Sequence, residues 1–270
     1  METRIRIRLG ELEVECTGDD AFVATRLPDL VSDLLRRLRD QPSGPTPPPP
    51  QPPSPLPRTV SIAGAVIDYF SGNPVTAARV TATGLTPGMS GTSDAAGRFA
   101  MSGQAAGAEC FLSVGDVRNF VDTATGPFTV AAAPLTLTAF AATATDLNRQ
   151  YAILGRTPSR GLGVVIVHLL DATGHPLEMV TASDVALAAD NGSLVGTGPF
   201  FFGPSGDLDP LLTVSRAFNG KARAAFLDVP AGGCTLQVTA RSGGTGFQRA
   251  IVRLLANAGA VIADAALRPS

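Results

Sequence analysis

The chain has 270 residues, of which 44% are hydrophobic and 16% charged, with 29 glycines, 22 prolines and no tryptophan. A formal net charge of −2 argues against nucleic-acid binding through phosphate neutralisation. No apolar run reaches the length of about 18 residues that a membrane-spanning helix needs. Abundant Gly, Pro, Thr, Val and Ala suggest many short strands joined by turns.

The first 40 residues predict a small ββα unit. Arg4 to Leu9 and Leu12 to Cys16 alternate with period two, and Gly10-Glu11 supplies a two-residue turn. In that register Arg8 faces Glu13 and Arg6 faces Glu15 on one side. Ile7 faces Val14 and Ile5 faces Cys16 on the other. Gly18-Asp19-Asp20 offers a helix N-cap, and Leu27, Leu30, Val31, Leu34 and Leu38 follow at helical spacing. So small a unit has little core of its own. It is read as a docking module with Ile5, Ile7 and Leu9 as candidate partner contacts, or as a satellite fold with no partner. The N-terminus lacks the apolar run of a signal peptide. A cytoplasmic protein is therefore expected, with signal-independent export as the alternative.

Residues 41–58, QPSGPTPPPPQPPSPLPR, hold ten prolines in 18 positions. Proline fixes φ and removes the amide donor, so the segment suits neither helix nor sheet. A polyproline II spacer at about 3.1 Å per residue would reach roughly 50 Å. The functional alternative is a ligand for a proline-binding domain.

After the linker the sequence takes on a strand-and-turn rhythm. In SIAGAVIDYFSGNPVTAARVTATG, Gly72-Asn73-Pro74 turns a hairpin, and Val66, Val75 and Val80 alternate into a core. Asp94 and Gly97 make a tight turn, and Phe99 anchors the strand after it. Gly64, Val66, Asp68, Gly72, Pro74, Val75, Ala78 and Val80, then Thr92, Asp94, Gly97, Arg98 and Phe99, carry a resemblance. Together they resemble the signature of the carboxypeptidase regulatory-like domain, a transthyretin-like β-sandwich. The resemblance covers residues 59–145 and implies a sandwich with no chemistry of its own; no peptidase domain is expected within these 270 residues.

The rhythm returns more loosely around residues 160–240, within a second sandwich read over 146–270. Asp171, Gly174 and Pro176 stand where Asp68, Gly72 and Pro74 stood, and Gly220 and Phe226 are matched to Gly97 and Phe99. Cys234-Thr-Leu236-Gln-Val238 superposes on Cys110-Phe-Leu112-Ser-Val114. These two cysteines are read as buried apolar fillers, and the three in the chain, with Cys16, are too few and scattered for a disulfide framework. Residues 190–217 form an insertion between the halves of this copy, and 247–267 are read as a terminal hairpin. The fold class is mainly β: two tandem Ig/transthyretin-like β-sandwiches preceded by the ββα unit and the Pro-rich linker.

Chemistry finds little support. His175-Pro-Leu-Glu178 has the His-x-x-Glu spacing of a metallocarboxypeptidase zinc site. Such a site needs a further ligand downstream, and no His follows residue 175. No Gly-x-Ser-x-Gly elbow is present, and nothing nominates a triad around His168. Lys221, the only lysine, sits in an Asn-Gly-Lys turn, not early in a first strand where related pilin sandwiches carry an isopeptide-forming lysine. Asp190-Asn191-Gly192 and Asp207-Leu-Asp209 are oxygen-rich enough for calcium but have the composition of ordinary surface turns. No catalytic residue, cofactor or metal is expected.

The most unusual feature is Phe200-Phe201-Phe202, bounded by Gly-Pro on both sides, which cannot all face one core if extended. Two readings stand: an exposed anchor for a protein partner, or a plug of the sandwich or of the interface between domains. The expected function is a non-catalytic structural or adaptor role through contacts with a partner the sequence does not name. The alternatives are a ligand- or carbohydrate-binding sandwich, against which the lack of tryptophan counts, and an accessory domain of an enzyme system.

Overall fold

A computed structural model describes residues 2–9, 12–19, 32, 36, 58–84, 88–105, 109–130, 134–241 and 247–269. The chain divides into two units, Met1–Ser54 and Pro55–Ser270. In the first, β1 (Glu2–Leu9) and β2 (Leu12–Asp19) pair antiparallel, with Ile5 opposite Cys16, Arg6 opposite Glu15, Ile7 opposite Val14 and Arg8 opposite Glu13. That is the register the alternation predicts. Of the expected cap Gly18-Asp19-Asp20, the first two lie in β2, and Asp20 lies outside the described residues. Gly18 and Asp19 pair with Thr3 and Glu2, because β1 reaches far enough to satisfy their backbone groups in the ladder. Ser32 and Arg36 are helical. The leucines of the expected helix, the side chains of Ile5, Ile7 and Leu9, and the linker up to Pro57 lie outside the described residues.

The second unit is mainly β. Its first half holds β3 (Arg58–Asp68), β4 (Arg79–Thr83), β5 (Met89–Thr92), β6 (Arg98–Ala105) and β7 (Glu109–Gly115). The short β8 (Phe120–Val121), β9 (Thr123–Thr125) and β10 (Phe128–Thr129) follow, then β11 (Leu135–Thr143). One layer runs β6-β3-β11-β8, and the facing strands run β5-β4-β7-β9. Period-two alternation fills the space between them: β7 turns Cys110, Leu112 and Val114 inward, against Ile62, Val66 and Phe99. Helix α1 (Ala144–Ile153) then begins where the Thr143 hydroxyl accepts the Asp146 amide at 3.0 Å.

The second half holds β12 (Leu162–Leu170), β13 (Val185–Ala189), β14 (Thr197–Phe201), β15 (Ala217–Phe218) and β16 (Lys221–Pro230). It ends with β17 (Gly232–Arg241), β18 (Phe247–Ala256), β19 (Ala260–Ala266) and β20 (Arg268–Pro269). Its strand order repeats that of the first half. The opening strand pairs parallel with a late one, β3 with β11 and β12 with β19, and antiparallel with β6 or β16 on its other side. The opposite layers run β4-β7-β9 and β13-β17-β18. Local bonding repeats as well. Ser93 Oγ accepts from Ala78 N and donates to Val75 O at 2.9 and 2.7 Å; Ser215 Oγ does the same with Val180 N and Leu177 O at 3.0 and 2.9 Å. Both serines are buried. Cys110 and Cys234 are buried on the matching strands β7 and β17.

Two expectations are corrected here. Phe226 does not match Phe99. It pairs with Val165, as Met101 pairs with Ile62, and Val165 and Ile62 each stand six residues before their turn aspartate. The strands over 247–267 form no hairpin: β18 pairs with β17 and β20, while β19 crosses to the other layer and pairs with β12 and β9. The physical reason is that β12 needs a second neighbour for its exposed backbone groups, and β19 supplies it.

The pairing of β19 with β9 joins the halves. Ala260 to Ile262 lie opposite Thr123 to Thr125, so one ten-stranded sheet runs through both sandwiches. Glycine is required at the crossing, because a Cβ on Gly259 would overlap the Asp122 carbonyl oxygen. β12 is consequently buried on both faces. Val165, Val167 and Leu169 face the second sandwich's core, and Val164 and Ile166 face a third core that includes Tyr69, Ala142, Tyr151 and Phe202. That third core packs residues of both sandwiches together.

Candidate functional site

Among the described residues, the junction brings together His168, Asp264, Tyr69, Arg223 and Lys221. His168 on β12 lies opposite Arg223 on β16 in one ladder and opposite Asp264 on β19 in the next. The turn after β3 lays Tyr69 over this row. His168 Nδ1 is 2.7 Å from Asp264 Oδ1, and Tyr69 Oη is 3.1 Å from His168 Nε2. A carboxylate can only accept, so Nδ1 donates to Asp264, which in the neutral imidazole leaves Nε2 to accept from the phenol. The Tyr69 and His168 rings stack at 5.6 Å, and Phe140 of β11 stands edge-on to both.

An Asp–His–hydroxyl chain is the wiring of a nucleophile-activating relay. Burial of the phenol works against that use. Tyr69 is 5% exposed, and burial pushes its phenol up to about 12, with the Arg223 charge opposing. With so little of its surface exposed, the phenol offers a substrate little access. What remains is a strut: Tyr69 and Phe140 come from the first sandwich, His168 and Asp264 from the second. Arg223, also buried, lies with its guanidinium carbon 4.5 Å from the Phe202 ring centroid and 6.0 Å from that of Tyr69. Its Nε has no hydrogen-bond partner among the described residues. Lys221 Nζ sits 5.6 Å from the Tyr69 ring centroid, and burial, then the Arg223 charge, lowers its pKa.

Helix α1 braces the same region. Tyr151 Oη donates to Asp228 Oδ1 and accepts the Asp228 amide, at 3.2 and 3.0 Å, holding a residue at positive φ. Buried Gln150 donates to Asp207 Oδ1 and accepts the Leu208 amide, at 2.7 and 2.8 Å. Arg149 reaches the same Asp207 oxygen.

Beside this cluster lies a cleft of about 770 Å³ between the sandwiches. Asp264 and Phe140 line it from the strut side, β18 contributes Arg249 through Arg253, and Phe128, Leu137 and Arg268 close it. Its size falls in the range of ordinary ligand sites.

The residues singled out from the sequence are dispersed. Phe201 packs in the second sandwich's core and Phe202 in the junction core, each 1% exposed, while half-buried Phe200 packs against the junction core. The exposed-anchor expectation for Phe201 and Phe202 is therefore corrected. Consecutive strand residues point to opposite faces, and here both faces are covered. His175 lies in an exposed turn with Nδ1 2.7 Å from Thr173 Oγ1, and Glu178 instead accepts the Ala217 amide, so the two do not converge. Asp207 is committed to α1, and the Asn191 carboxamide oxygen closes its own turn on Ser193. Among the described residues no group of three or more His, Cys, Asp or Glu side chains is arranged to hold a metal. No described helix is long and apolar enough to cross a membrane. Sequence reasoning missed the strut because its partners are 96 and 99 residues apart. The one available signal was a histidine inside the continuous apolar run GVVIVHLL, which implied a buried partner.

No protein-family model matches the chain, and no curated protein matches it in sequence. Solved structures do resemble it. The TIE protein of Bacillus anthracis matches with a TM-score of 0.27 and 10% identity over 79% of this chain, which spans 34% of that protein. The shaft pilin SpaA of Lactobacillus rhamnosus GG matches with a TM-score of 0.22 and 14% identity, over 79% of this chain and 98% of the pilin. A minor pilin of Streptococcus agalactiae matches with a TM-score of 0.23 and 9% identity, over 79% and 97%.

Proposed function

We propose that this chain is a non-catalytic structural or adaptor component that acts through protein–protein contacts. One observation carries this: the buried polar groups best suited to chemistry, Tyr69, His168 and Arg223, are spent on joining two sandwiches that already share a sheet. A joint of this kind would hold the surfaces of the two sandwiches at a fixed separation. The matching strand orders and the paired serines support an origin by duplication of one sandwich module. The likeness of residues 59–145 to carboxypeptidase regulatory-like domains belongs with the same reading. In this scheme residues 1–40 are the docking unit and residues 41–58 the spacer.

Affinity purification from the native host, with the full chain and with a chain lacking residues 1–40, tests it. A specific protein partner lost on deletion is the expected result. An unchanged partner list would remove the docking role. Turnover of a substrate by the intact chain, abolished by His168→Ala, would replace the proposal with an enzyme.

A further inference from the structure

The cleft is bordered by open strand edges. β18 has β17 along one side, while on the other β20 pairs only with Gln248 and Arg249. From Ala250 to Ala256 it has no second strand neighbour among the described residues. β19 pairs with β9 only as far as Ile262, and the cleft walls include Ala263, Asp264 and Ala266 beyond that point. Five consecutive β18 residues, Arg249 to Arg253, line the cavity, as expected of a strand seen along its edge.

Three further observations define what fits there. In the first sandwich the matching strand is β9, and its second edge is filled by a strand, β19. The outward face of β18 alternates Arg249, Ile251, Arg253 and Leu255, all exposed, with Ile251 at 61%. Arg249 donates to Gln237, whereas Arg253 and Arg268 have no hydrogen-bond or ion-pair partner among the described residues. The acidic groups on the cleft wall are Glu109 and Asp264, and Asp264 is already held by His168.

We propose that the β18 edge accepts an extended acidic peptide segment of a partner protein by strand addition. Main-chain bonds to the open edge would supply affinity. Carboxylates opposite Arg249 and Arg253, alternating with apolar residues opposite Ile251 and Leu255, would set register and specificity. This rests on the protein-contact reading above and names the chemistry of one contact.

The probe is a fluorescent octapeptide with glutamate and valine alternating on one face and threonine at every other position. Controls are the lysine-for-glutamate peptide and the acidic peptide N-methylated at alternate amides. With the full chain, the acidic peptide is expected to bind at least about ten-fold more tightly than either control. The double variant Arg249→Glu/Arg253→Glu, which changes two exposed side chains and removes one hydrogen bond, from Arg249 to Gln237, is expected to reverse the charge preference. Equal binding of the N-methylated peptide would mean attraction without strand addition and would overturn the proposal. So would failure of the acidic peptide to bind, or concentration-dependent self-association through this edge that the peptide does not compete. If binding fails while affinity purification still recovers a partner, the edge assignment falls and the adaptor function stands.

Discussion

Each sandwich carries an aspartate-headed turn after its opening strand, the first one residue longer than the second, and the two lie in different surroundings. After β3, Asp68 accepts the Phe70 amide and the Ser71 hydroxyl, and the turn closes through Asp68 N to Asn73 O at 2.8 Å. After β12, Asp171 accepts the Thr173 and His175 amides, and its turn closes through Asp171 N to His175 O at 2.8 Å. The residue following the aspartate is buried Tyr69 in one and exposed Ala172 in the other. The aspartate-headed turn is therefore a platform that forms both against the junction and at the surface. One aromatic side chain on it turns a surface turn into half of an interdomain joint.

The largest effect should come from removing that side chain. Tyr69→Ala deletes an aromatic from the junction core and should cost about 3–5 kcal/mol in urea-induced unfolding. A loss below about 1 kcal/mol would show that the shared sheet holds the joint alone. Tyr69→Phe keeps the ring and removes the bond to His168, so a loss of about 1–2 kcal/mol is expected.

The same variant carries a pH signature. The folded phenol of Tyr69 is raised from 10.0 to about 12, so its contribution is fully present below pH 10 and fades as pH rises through about 12. Tyr69→Phe should flatten that part of the stability–pH curve. An unchanged alkaline limb would mean that other groups control it. The smallest effect belongs to the second turn: Ala172→Tyr should change stability by no more than about 0.5 kcal/mol, because nothing buries the new ring. A larger gain, read as a rise in melting temperature, would reveal a docking surface there.

How far the sequence could be read varies with the range of the interaction. The β1–β2 register followed from alternation and a short turn, both local. The burial of Cys110, Leu112 and Val114 followed from period two within β7. The terminal strands were misread because sequence adjacency suggests a hairpin, whereas β18 and β19 serve different layers. Phe200 to Phe202 could be assigned to two faces, but not to two cores, without knowing that the first sandwich covers the second face. The cleft left no sequence signal, since its walls come from β7, β9, β10, β11, β18, β19 and β20.

By itself, then, the sequence determined the strands, their inward faces, the turns and the mainly β class. These depend on steric limits and hydrophobic periodicity among residues close in the chain. Only the tertiary structure decided that β19 would pair with β9, that His168 would meet Tyr69 and Asp264, and that the β18 edge would remain open. Those outcomes depend on which distant strand satisfies a backbone edge, and a residue's own neighbours in sequence carry no record of that.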